Sequence, residues 1–160
     1  EGRGFQYNGL VNEGDVVAYQ RRADCPAHEQ MCEICELPYG VHDLTGAQAL
    51  DLVRRDVGPE ACVEFERELC THLCCPECGI AHPFFRSLGR VTLSDAECAQ
   101  CGALCDPQLT HRLDGSEDYL ELPLSALGLP PYDIFTGRQQ MQMKHYLLAA
   151  DRAAVLGSLA

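Results

Sequence analysis

Two short phrases constrain this chain more than anything else in it: Cys75-Pro76-Glu77-Cys78-Gly79 and Cys98-Ala99-Gln100-Cys101-Gly102. Each is a Cys-x-x-Cys followed at once by glycine, and residues 79–97 separate the pairs. Two thiolates three positions apart can hold one side of a tetrahedral ion, and a second pair closes the other side. The trailing glycine suits a sharp turn with positive φ. The spacing predicts a structural zinc site with Cys75, Cys78, Cys98 and Cys101 as ligands, inside a zinc ribbon. Two disulfides, four ordinary thiols or a redox Cys-x-x-Cys pair compete for the same residues.

Length and charge narrow the setting. The chain has 160 residues, room for one domain or two small ones. Apolar residues make up 46% and charged residues 22%, a globular balance. No apolar run reaches the length of a membrane span, so no membrane partner is expected. The first residue is Glu1, no signal-peptide pattern follows, and strand-like residues begin by Phe5, which suggests a piece of a longer protein. Twelve Lys and Arg face 24 Asp and Glu, a net charge of −12. That field repels a phosphate backbone, so nucleic acid is disfavoured and a basic protein partner favoured. Eleven cysteines, an odd number in Cys-x-x-Cys pairs, fit metal in a reducing compartment better than a secreted disulfide scaffold, and point to the cytoplasm.

Along the chain, residues 4–20 read as a β-hairpin: Phe5-Gln6-Tyr7 and Val16-Val17-Ala18-Tyr19 around a turn at Asn12-Glu13-Gly14-Asp15. Cys25, His28, Cys32 and Cys35 follow, a Cys-x-x-His beside a Cys-x-x-Cys, which can close a second, Cys₃His zinc site. Thr45 to Val57 is the clearest helix, capped by Thr45, with Ala47, Leu50 and Val53 at helical spacing and Gly58-Pro59 as its stop. Ala61 to Leu69 alternates, with Val63, Phe65 and Leu69 on one face and Glu64, Glu66 and Glu68 on the other, so it reads as a half-buried strand.

Within the ribbon, residues 82–86 and 90–93 read as paired strands turning at Ser87-Leu88-Gly89, with Phe84 or Phe85 covering the metal layer. Residues 109–113 form a further strand before the turn Asp114-Gly115-Ser116. Leu124 to Gly128 reads as a short helix, and Gln139 to Leu148 as one strand. The tail 151–157 supplies a turn or two of helix. Leu129-Pro130-Pro131 is core or a docking segment. Cys62, Cys70, Cys74 and Cys105 read as small buried residues, with a third metal site or a catalytic thiol as lesser readings. His42, His82, His111 and His145 read as packed or surface residues. The fold expected is α+β, a small mixed β/α unit with an inserted zinc ribbon, divided at 1–72, 73–106 and 107–160.

Several of these stretches resemble a known family. Asp24-Cys25-Pro26-Ala27-His28, Leu37-Pro38-Tyr39 and the helix from Leu44 to Val53 resemble the passage leaving the adenylation domain in ubiquitin-activating-type enzymes of the ThiF/MoeB superfamily. Cys75-Pro76-Glu77-Cys78, Leu88-Gly89-Arg90-Val91, Leu109-Thr110-His111, Leu127 to Ile134 and Asp151 to Gly157 look like the C-terminal region of bacterial ThiF-type proteins. The family has cysteine where His28 stands, and the Cys32/Cys35 pair is extra. No Gly-x-Gly-x-x-Gly follows a strand, so the nucleotide loop of the adenylating machinery is absent. The resemblance implies a zinc-binding, non-catalytic accessory module of such an enzyme. It would position a ubiquitin-like or sulfur-carrier protein against the adenylation domain or a downstream partner. A thiol–disulfide enzyme and a freestanding zinc-ribbon adaptor are the alternatives.

Overall fold

The computed structural model describes residues 2–20, 33–151 and 155. The chain divides into two compact units, Glu1–Cys32 and Glu33–Ala160. The first holds strands β1 (Arg3–Asn8) and β2 (Glu13–Ala18), paired antiparallel with Phe5 opposite Val16. The hairpin was expected; its turn lies earlier. Residues 9–12 make the loop, with Asn12 at φ 54°, while Glu13, Gly14 and Asp15 belong to β2. The Asn8 carboxamide accepts from the Leu10 N–H and closes the chain one step sooner than the Asn12-to-Asp15 cluster suggested.

Among the described residues, the second unit packs helix α1 on a six-stranded sheet. Its strands are β3 (Ile34–Gly40), β4 (Cys62–Cys74), β5 (Ala81–Ser87), β6 (Asp106–Leu113), β7 (Ile134–Gln139) and β8 (Gln142–Ala149). The path is β3-β8-β7-β4-β5, and β6 also pairs with β4. Only β3 with β8 is parallel. The coarse α+β expectation therefore holds. The boundary expected at 72/73 falls inside β4, and that at 106/107 inside β6.

Strand β4 is the spine. Its first half, Cys62 to Phe65, pairs with β7, and its second, Leu69 to Cys74, pairs with β5 on the same side. Strand β6 runs along the other side. The buried face foreseen at Val63, Phe65 and Leu69 is confirmed, but the strand continues five residues beyond Leu69 to Cys74. Between Cys70 and His72 the register with both neighbours shifts. Such a bulge changes which face the following side chains meet. Cys70 and Leu73, three apart, consequently enter one buried cluster together.

The three strands at the sheet's free edges each carry a proline: Pro38 in β3, Pro83 in β5 and Pro107 in β6. The inner strands β4, β7 and β8 carry none. Proline cannot donate to a ladder, so it is tolerated at an edge and discourages another chain from pairing there. Pro38 is also why β3 was not legible as a strand.

Helix α1 (Gly46–Asp56) starts as expected. Thr45 accepts from the Gln48 N–H, and the Gln48 side chain accepts from the Thr45 N–H, a reciprocal capping box. Two further orphan donors, Gly46 and Ala47, bond to the carbonyls of Leu122 and Leu120 at 3.1 and 2.8 Å. The inward stripe is Gly46, Ala49, Leu50 and Val53, so Ala47 lies at its border and not at its centre. Thr45→Ala is expected to cost about 1 kcal/mol in urea unfolding, with Thr45→Ser close to wild type.

Two further expectations are corrected. Residues 124–128 form hydrogen-bonded turns and not a helix, closed by Gly128 at φ +97°. Leu124, Leu127 and Leu129 are buried there, so Leu129 belongs to the core, while Pro130 is half-buried and Pro131 exposed. Gln139 to Leu148 is not one strand: β7 ends at Gln139, Gln140 and Met141 turn, and β8 begins at Gln142. Neither turn residue is glycine or asparagine, so the usual signal was missing. Of the tail, the Val155 N–H bonds the Asp151 carbonyl, a single helical link; its other residues beyond Asp151 lie outside those described.

The main core packs α1 on the sheet around Phe135 and Tyr146, whose rings stack 5.2 Å apart. The Tyr146 hydroxyl donates to Asp56 at 3.1 Å, and Lys144 donates to the same oxygen at 2.7 Å. The Lys144 hydrogen bond, more than that of Tyr146, holds the Asp56 carboxyl below its ordinary pKa against the opposing effect of burial. A carboxylate depressed in the folded state stabilises fully above the unfolded pKa of about 3.9, and its contribution disappears as pH falls through the lower folded value. Asp56→Asn is expected to be less stable than wild type at pH 6, with the gap closing on acidification below about pH 4. Urea midpoints across that range measure it.

Candidate metal centre

The first cysteine loop joins β4 to β5. The second precedes β6. Both are built alike. The Gly79 N–H donates to the Cys75 carbonyl at 2.9 Å, and the Gly102 N–H to the Cys98 carbonyl at 2.8 Å. The Cys75 N–H donates to the Ile80 carbonyl and the Cys98 N–H to the Ala103 carbonyl, each at 2.8 Å. Gly79 and Gly102 have φ of +67° and +74°, the left-handed turn that the trailing glycines implied. The two loops bring the sulfurs of Cys75, Cys78, Cys98 and Cys101 within 4.8 Å of one another. The four sequence-predicted ligands of the ribbon thus meet in one cluster that could hold a metal ion.

The strands around it are not those expected. Leu88–Arg90 is a 3₁₀ turn, and residues 91–94 form no strand. Strand β5 pairs with β4 and not with residues 90–93, because β4 runs long enough to pair with it. The cysteine loops therefore hang from the main sheet and not from a two-stranded insertion. Asp95 shapes the second approach by accepting from the Thr92 N–H, the Thr92 hydroxyl and Arg86. Of the two candidate phenylalanines, Phe84 packs on the cysteine cluster, while Phe85 packs on the main core against Tyr119.

Two of the four thiols, Cys78 and Cys98, are shifted in opposite directions. The Cys78 thiol is pushed up to about 12, mainly by its hydrogen bond with Cys101. Cys98 is pulled down to about 6, chiefly by the backbone N–H groups of Gln100 and Cys101. Four adjacent thiols cannot all ionise without a cation between their sulfurs, and a dication is what the donor set suits. Cys75 and Cys98 are buried, whereas Cys101 is exposed.

The second cluster fares differently. Cys25, His28 and Cys32 lie outside the described residues. Cys35 sits on β3 opposite Tyr146, partly buried against the main core. The nine described cysteines are all free of disulfides. Cys62 and Cys70 are buried and donate to the backbone carbonyls of Arg138 and His72. His145 bonds the Thr136 hydroxyl at 2.9 Å; His42, His82 and His111 are exposed.

Cys105, read from the sequence as one of four small buried residues, is buried as expected, though its place beside the ligand cysteines was not foreseen. It is buried in the same cluster as Cys75 and Cys98. Burial first, and the two neighbouring sulfurs after it, raise its thiol to about 11. Its position seven residues after Cys98 carries no motif. No helix among the described residues is long and apolar enough to cross a membrane. Compared with models of protein families, with curated proteins and with solved structures, the chain has no match in any of the three.

Proposed function

We propose that the four-cysteine cluster holds one zinc ion as a closed structural centre, and that the chain is a zinc-braced accessory module that positions a protein partner. The observation that carries this reading is the meeting of Cys75, Cys78, Cys98 and Cys101 within 4.8 Å on two loops of matched hydrogen bonding. Four soft sulfur donors in a compact set suit zinc. Four protein ligands leave no open coordination position, so the ion would brace and not catalyse. Bound there, zinc supplies the positive charge the sulfurs lack and adds folding energy to the end of the sheet.

The resemblance to the C-terminal region of ThiF/MoeB-type enzymes extends the reading to a ubiquitin-like or sulfur-carrier protein, or an adenylation domain, as the partner. The net charge of −12 favours a basic protein surface over nucleic acid. Free thiols in number fit the cytoplasm. Elemental analysis of the purified, reduced chain tests the centre. One zinc per chain supports it, and a second ion would point to Cys25, His28, Cys32 and Cys35. A metal-free chain that exchanges disulfides would sink it. A pull-down against ubiquitin-like carriers tests the partner separately, and recovery of none removes that assignment while the zinc centre stands.

One observation favours a second reading. Backbone N–H groups draw the Cys98 thiol down to about 6, the direction a thiol–disulfide enzyme needs in its Cys-x-x-Cys, although Cys98 is buried and Cys101 is the exposed member of the pair. The same metal measurement decides between the two.

A further inference from the structure

The basic side chains of this acidic chain are almost all engaged. Among the described residues of the second unit, Arg55, Arg67, Arg86, Arg112, Arg138 and Lys144 each pair with a carboxylate. Arg54 donates to the Asp114 carbonyl. The Arg90 guanidinium has no hydrogen bond or ion pair among the described residues. It closes the Leu88–Arg90 turn, which the Val91 N–H pins by donating to the Leu88 carbonyl at 3.1 Å. There it lines an open cleft of about 540 Å³ with Phe85 and Arg86 of β5 and with Ser125, Gly128 and Leu129 of the facing turns. Gly128 lets those turns close on the Arg86 Cα, which a methyl group would meet at 2.7 Å. The Ser125 hydroxyl makes no hydrogen bond among the described residues either. No carboxylate lines this cleft, whereas Asp43 and Asp51 line one beside α1 and Glu36 one beside β3.

We propose that this cleft binds a small organic oxyanion, a carboxylate or phosphate monoester with an apolar body. A net charge of −12 leaves carboxylates in excess for any surface arginine, yet none reaches Arg90. Its planar fork of donors matches two oxygens of one anionic group. The Ser125 hydroxyl donates to the same group, and the apolar body lies on Phe85 and Leu129. Arg86 adds a second positive charge, partly offset by Asp95 at 2.9 Å and steadied by the Phe84 ring, whose centre is 5.0 Å away. The cleft is of a size that encloses most of a small ligand. The inference rests on this cleft, and on neither the ion nor the partner proposed above.

Calorimetric titration of the purified, reduced chain tests this with phenyl phosphate, benzoate and the uncharged control phenol. Saturable one-site binding of either acid supports the cleft, and the tighter of the two identifies the anionic group. Arg90→Gln should weaken that binding at least about tenfold, the usual effect of removing a hydrogen-bonded charge. Ser125→Glu, which sets a carboxylate in the cleft, should abolish it. Arg90→Lys keeps the charge without the fork and should fall between wild type and Arg90→Gln, which keeps the test open should Ser125→Glu fail to fold. Arg112→Gln lies outside the cleft and should bind like wild type. No saturable binding of either acid up to about 10 mM would overturn the proposal. So would phenol binding as well as the acids, unchanged affinity in Arg90→Gln, or an equal loss in Arg112→Gln.

Discussion

Cys75→Ser/Cys98→Ser is expected to abolish metal binding and to unfold the end of the sheet that carries the two cysteine loops. These are the buried pair, so their loss removes both inward sulfurs of the four-cysteine set. The apolar support at that end is small. Among the described residues, the buried cluster there is Leu73 with Cys70, Cys75, Cys98 and Cys105, flanked by Phe84, Val91 and Ala103. Ordering each residue of the connection from Leu88 to Cys105 costs about 1–2 kcal/mol of backbone entropy, more than so small a cluster returns. A metal bound only by the folded state, present at a thousand times its dissociation constant, contributes about 4 kcal/mol. The variant should lose at least about that much in urea unfolding. Wild type in excess chelator should match it. Hydrogen exchange should rise first in β5 and β6, with α1 and β7 still protected. A wild-type midpoint indifferent to chelator would refute the brace.

Gly128→Ala is the second large expectation. At φ +97° an L-residue is strained, at about 1–3 kcal/mol. A methyl group there would also lie 2.7 Å from the Arg86 Cα and 2.8 Å from the Ser87 nitrogen. Both are backbone atoms of β5, so no side chain can swing aside. The strand or the loop must move, and Leu127 and Leu129 on either side are core residues. A loss of about 3 kcal/mol or more follows. Gly89→Ala is the control. A methyl group there meets nothing within 4 Å, and the variant should sit within about 0.5 kcal/mol of wild type. Similar midpoints for the two variants would contradict the packing of residues 124–129 against β5.

These two sites differ in how legible they were. The ligand set Cys75, Cys78, Cys98 and Cys101 could be read directly, because each pair's bite and its glycine turn are properties of five consecutive residues. The helix was equally plain, since Thr45, Gln48 and the apolar stripe act within one or two turns. Strand β3 and the β7–β8 turn were not. Pro38 argues against a strand until the strand is known to lie at an edge, and Gln140-Met141 carries no turn signature. Gly128 looked like a helix stop, when its conformation in fact answers to β5, some forty residues earlier.

The sequence by itself determined which four sulfurs could gather, where α1 begins and which face of β4 is buried. Those outcomes rest on interactions between residues a few positions apart, so local spacing suffices. Only the tertiary structure decided that the cysteine loops hang from the main sheet, that prolines mark its three free edges, and that Cys70 and Cys105 are buried in one cluster with Cys75 and Cys98. Each depends on strand pairing between distant segments, and the entry of Cys70 and Leu73 into one cluster follows a one-residue shift in register between Cys70 and His72. A shift of one residue reverses the face on which every later side chain falls, and nothing in the local sequence announces it.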